Sequence, residues 1–116
     1  MVVPLLALAL MQSAPPGERG SDLFRNCRAA IREIESSTGG VDTDLGPGLR
    51  CSDYIGGLAD GMSHGHLACF GEATKETMVR VYVSFMETHP TYMDQHQANG
   101  FYAAMLQTYP CTIKVK

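Results

Sequence analysis

Apolar and polar positions follow one another along this chain with the period of helices. From Ser21 to Glu35, the residues Leu23, Phe24, Cys27, Ile31 and Ile34 recur every three or four positions and make one apolar face. Arg25, Arg28, Arg32, Glu33 and Glu35 fall on the wetted side, and Ser21 or Asp22 is placed to cap the start. "SSTGGVDTDLGPG" stops this helix at Gly39 and Gly40. It is a long loop for a small domain, and long loops are often functional. A second helix is predicted from Gly48 to Ser63, with Cys51, Tyr54, Ile55, Leu58 and Met62 on its face and "SHGH" closing it.

The third helix is predicted from Thr74 to Thr88 and buries Met78, Val79, Tyr82, Phe85 and Met86. Val81 and Val83 make "MVRVYVSFM" readable as a strand, but the Thr74 cap and the "ETHP" stop favour a helix. The fourth begins at Pro90, a favoured first helical residue, and runs to Tyr109, before Pro110. Met93, Ala98, Phe101, Tyr102, Met105 and Tyr109 form its face, and Gly100 is its weak point. The fold class expected is all-α, a compact bundle of four to five helices with the third and fourth as antiparallel neighbours.

The second helix keeps three interior glycines, Gly56, Gly57 and Gly61, each of which costs about 0.5–1 kcal/mol relative to alanine. Gly57 and Gly61 lie one turn apart and make a flat strip flanked by Tyr54 and Leu58, with Tyr54, Ile55, Gly57 and Gly61 as the helix-packing positions. Close packing of another helix on that strip is one explanation; an early, frayed helix end at Gly61 is the other.

Four cysteines change the picture. Cys27, Cys51, Cys69 and Cys111 contain no C-x-x-C pair, so two disulfides explain them better than zinc ligands or buried thiols. Cys69 precedes the third helix and Cys111 follows the fourth, and an antiparallel hairpin brings those points together. Cys51 and Cys69 sit near opposite ends of the second helix, roughly 20 Å or more apart, which disfavours that pairing. Cys27–Cys51 with Cys69–Cys111 is the simplest solution.

Disulfides imply export. "VVPLLALAL" has the length of a signal-peptide core and is too short to span a bilayer. The chain divides into a signal peptide at residues 1–14, a linker at 15–20, a helical domain at 21–111 and a tail at 112–116. No Lys or Arg precedes the apolar run, which leaves a cytosolic tail as the competing reading unless the start codon lies too far downstream. With export, the protein is periplasmic or secreted and the mature chain has no membrane span. The 116 residues suffice for one domain. They are 45% apolar and 18% charged, with a net charge of −3. The absence of a basic block argues against a nucleic-acid partner.

"CSDYIGGLADG" resembles the C-x-x-Y-I-x-G signature of the Rap/Tai immunity proteins of type VI secretion systems. Other landmarks follow in the family's order: Cys27 in the first helix, Cys69 before the Thr74 cap, His89-Pro90 opening the last helix and Tyr109-Pro110-Cys111 ending it. "CFGEAT" lacks the proline usual soon after the third cysteine, and Thr91 replaces a frequent Glu. The resemblance implies a small, disulfide-bonded, all-helical periplasmic protein, often a homodimer, that blocks a secreted peptidoglycan amidase. The matched positions are structural, so candidate contacts are sought on the stapled hairpin: Glu76, Arg80, Glu87 and Gln95.

No enzyme chemistry stands out. His64 and His66 lie near Met62 and Cys69, but two histidines around a glycine read better as a polar turn than as a copper site. A disulfide removes Cys69 as a nucleophile, and Asp53 and Asp60 lie at opposite ends of the second helix. A non-enzymatic binding protein without a cofactor is expected: an immunity protein or, alternatively, an orphan periplasmic helical protein acting as a chaperone-like or structural adaptor.

Overall fold

A computed structural model describes residues 14–36 and 46–112. The signal segment up to Ser13, most of the Gly39-Gly40 loop and the last four residues lie outside the described residues, with the readings placed on them. Helix α1 spans Gly20–Glu35, α2 Gly46–His64, α3 Lys75–Thr88 and α4 Gln97–Thr108, with a 3-10 helix at Pro90–Asp94 before the last. The all-α bundle is the fold found, and no strand longer than a single bridging pair, Arg19 with His96, occurs among the described residues.

Asp22 organises the start of α1, though not as the cap residue. Arg19 takes that position, and Asp22 stands three residues later, accepting from the Arg19 N–H at 3.0 Å and the Gly17 N–H at 2.8 Å. A guanidinium has no acceptor, so only the acidic half of a capping box forms. The backbone N–H of Arg19 is the first reason the Asp22 carboxyl is held below its ordinary range; burial opposes this, and the Gly17 N–H and the charges of Arg25 and Arg19 add to it. A depressed carboxyl contributes stability above its unfolded pKa, near 4, and loses it as pH falls through the lower folded value. Asp22→Ala is therefore expected to cost about 1 kcal/mol at pH 7, and the difference from the parent should shrink toward pH 2–3 in urea unfolding curves. An equal cost at both pH values would contradict this.

Residues 14–19 are docked on the domain. Ala14 N–H donates to Asp94 O at 3.1 Å, Gly20 N–H to Gln95 O at 2.8 Å and Gln97 N–H to Glu18 O at 2.9 Å. Arg19 Nε closes the loop on Ala14 O at 2.7 Å. The stretch read as a linker is thus tied to the entrance of α4.

This docking accounts for a difference in the last helix. Pro90 opens the 3-10 turn, and α4 begins only at Gln97, with the His96 ring accepting from the Ala98 N–H at 3.2 Å. Thr74 caps α3 as expected, accepting from the Thr77 N–H at 3.1 Å, and the "MVRVYVSFM" stretch is helical.

Helix α1 lies against every other helix, whereas α2 meets α1 and α3 but hardly touches α4. The core holds Leu23, Cys27, Ile55, Tyr82, Met86 and Phe101, all essentially without exposure. Tyr82 packs its ring on Phe101 at 6.1 Å and turns its hydroxyl to Gly20 O at 3.4 Å. Burial pushes the Tyr82 phenol far up. Both disulfides take the expected pairing, Cys27–Cys51 with Cα atoms 5.0 Å apart and Cys69–Cys111 with 4.9 Å.

Candidate partner-binding face

Among the described residues, nothing packs on the glycine strip of α2. The helix turns Cys51, Ile55, Ala59 and Met62 to the core, and Gly57 and Gly61 stand on the opposite side, exposed. A Cβ built at either meets nothing within 4 Å among the described residues. The helix expected on Gly57 and Gly61 is not found among the described residues: α1 and α3 use the other face. Ile55 is a core residue and Tyr54 is half-buried beside the strip. Nor does the helix fray at Gly61, since α2 continues to His64.

What lies beside the strip is apolar. Tyr54 and Leu58 are half-buried on α2, in line with Gly57 and Gly61 at helical spacing. On α4, Tyr102 and Leu106 are 38% and 47% exposed, one turn apart. Burial raises the Tyr54 phenol, with smaller contributions from Tyr102 and then Glu18. Leu67, 58% exposed, shares a groove of about 590 Å³ with Leu106, Pro110 and the Cys69–Cys111 bridge. Three of the five large apolar side chains exposed among the described residues thus gather on this side; Ile34 and Leu49 line a smaller groove of about 230 Å³ between α1 and α2. Exposed apolar groups gathered on one face mark interaction sites more often than scattered ones do.

The polar candidates divide. Glu76, Arg80 and Glu87 are exposed along one stripe of α3. Arg80 reaches back to Glu35 of α1 at 3.2 Å and to Glu76 at 3.7 Å. Such exposed pairs are worth about 0–1 kcal/mol, so this arginine is a loose tie between helices. Gln95 is off the stripe, in the turn before α4, donating to Thr91 O at 3.3 Å and accepting from Asn99 at 3.0 Å. The sequence reading missed Leu67, which directly follows the polar "SHGH" turn, and Leu106, which no motif marks.

His66 adopts a left-handed φ of 57° at the end of α2 and lines the same groove as Leu67. His64 is turned to Asp60 O at 2.9 Å. No cluster of three or more His, Cys, Asp or Glu with metal-site geometry occurs among the described residues, and no helix among them is long and apolar enough to cross a membrane.

Residues 19–111 match the family model of the Rap1a immunity proteins. No curated protein and no solved structure matches the chain.

Proposed function

Because the chain belongs to the Rap1a immunity protein family, with the match running through all four helices, we propose that it binds and inhibits a type VI secretion effector. The effector is a peptidoglycan amidase, and inhibition occurs in the periplasm by covering the enzyme's active-site cleft. The observation that supports this reading is the exposed apolar group of Leu67, Tyr102 and Leu106, with Leu67 and Leu106 lining the groove at the Cys69–Cys111 bridge. The glycines of α2 give up helix propensity with no packing reason among the described residues, and they leave a low surface that a partner can approach closely.

Rigidity favours occlusion. Two disulfides and a tertiary cap at α4 hold the face in one shape, and a preorganised surface loses less conformational freedom on binding. Leu67 and Leu106 act as central anchors. Glu76, Arg80, Glu87 and Gln95 supply polar contacts at the margin, where single charges contribute little. The protein acts as a binder without a cofactor, and the export that its disulfides favour puts it where such an effector works. The same face fits a second copy of the chain, as a homodimer would require; an orphan adaptor is the alternative function.

Affinity capture tests the reading. The chain, tagged at its C-terminus and exported in its own host, should enrich one cell-wall hydrolase from the periplasm. Leu67→Asp and Leu106→Asp should each weaken that complex by about 30-fold or more, the effect of losing one anchor worth about 2 kcal/mol. Arg80→Glu should change it by less than tenfold. Leu49→Asp, on the other groove, should leave it unchanged. A preparation holding only self-association would move the assignment to the orphan reading.

A further inference from the structure

The two disulfides sit in opposite surroundings. Cys27 and Cys51 are 0% exposed and belong to the core cluster between α1 and α2. Cys69 is exposed, Cys111 is half-buried, and both line the open groove that holds His66, Leu67 and Leu106. Thiol–disulfide exchange needs a thiolate to reach one of the bridged sulfurs, so access separates the two bonds. The buried bridge is reached only when α1 and α2 part. The groove opens the other bridge in the folded protein.

We propose that Cys69–Cys111 is a redox-addressable clasp, reduced by dithiols in the folded protein while Cys27–Cys51 stays closed. One thiolate of the dithiol attacks the Cys69 sulfur and forms a mixed disulfide. The Cys69–Cys111 bond breaks, and its electron pair goes to the Cys111 sulfur, which takes up a proton. The second thiol of the reductant then attacks the mixed disulfide, releases the Cys69 thiol and leaves as the cyclic disulfide. Two electrons pass from the dithiol to the protein.

The rest of the clasp region does not depend on this bond. Cys69 N–H donates to Tyr109 O at 2.9 Å, and the rings of Phe70 and Tyr109 meet at 5.3 Å. Thr74 still caps α3, and Tyr82 still packs on Phe101. Reduction therefore removes the covalent tie between the Leu67 loop and the segment after α4, while these non-covalent contacts keep the bundle together. It acts on one wall of the groove and leaves the core bridge in place.

Graded dithiothreitol on the native protein, quenched with iodoacetamide and mapped by peptide mass, tests the proposal. Cys69 and Cys111 should be alkylated at least 100-fold faster than Cys27 and Cys51, with helical circular dichroism retained. In addition, the Cys69→Ser/Cys111→Ser variant should fold, with Cys27–Cys51 intact. Parallel reduction of both bridges, earlier reduction of Cys27–Cys51, resistance of both until the protein unfolds, or failure of the double variant to fold would each overturn it.

Discussion

Replacing Cys27 and Cys51 together with alanine should remove about 4 kcal/mol of stability. The bridge joins residues 24 apart, and closing a loop of that size in the unfolded chain contributes about 3.5 kcal/mol by chain entropy. Its sulfurs also fill fully buried space between α1 and α2, and the cavity adds to the loss. A domain of this size has roughly 5–15 kcal/mol in all, so the variant should be marginal. The effect is read from urea unfolding at pH 7 beside the parent protein. A loss below 1 kcal/mol would show that the bridge restrains little in the unfolded chain. The single variant Cys27→Ser should fare worse than the double alanine, because it leaves a hydroxyl and an unpaired thiol in an apolar core.

That bridge was legible as the pairing left once the hairpin joined Cys69 to Cys111, and helix periodicity agrees with it. Leu23, Phe24 and Cys27 on one helix, and Cys51 and Ile55 on the next, point both cysteines inward from separate patterns. The second pairing followed from the hairpin. The start of α4 was less legible. Pro90 suits the first turn of any helix, and the break at Gln95 and His96 arises from residues 14–19 pairing with that segment, a contact between distant parts of the chain. The α2 glycines show a different limit. Spacing places Gly57 and Gly61 on one face, but only the packed structure shows that α1 and α3 chose the other. Gly100 reversed its reading for the same reason. A Cβ there would lie 2.5 Å from Met86 Sδ, so the residue read as a weakness is where α4 closes on α3.

Gly20→Ala and Gly57→Ala should have opposite signs. At Gly20, an added Cβ runs into the carbonyl of Tyr92, a backbone group of the 3-10 turn that cannot rotate away as a side chain would. The same residue donates to Gln95 O at 2.8 Å and accepts from Tyr82 at 3.4 Å, so α1, α3 and the turn must all shift to make room. A loss of about 2–3 kcal/mol is expected, the scale of overpacking in a close-packed interior. Gly57→Ala adds its methyl to open solvent and should gain about 0.5–1 kcal/mol. Thermal unfolding of both variants beside the parent decides it. A neutral Gly20→Ala would mean that the junction yields easily, and a destabilised Gly57→Ala would mean that this face is already covered in the free protein.

The most direct measurement is inhibition. The purified mature chain is titrated into the cell-wall hydrolase recovered with it, and release of soluble fragments from purified peptidoglycan is followed. Hydrolysis should fall to background at one equivalent of the chain and return when Leu106→Asp replaces the parent. Full hydrolysis at saturating chain would contradict the assignment of this protein as the effector's inhibitor.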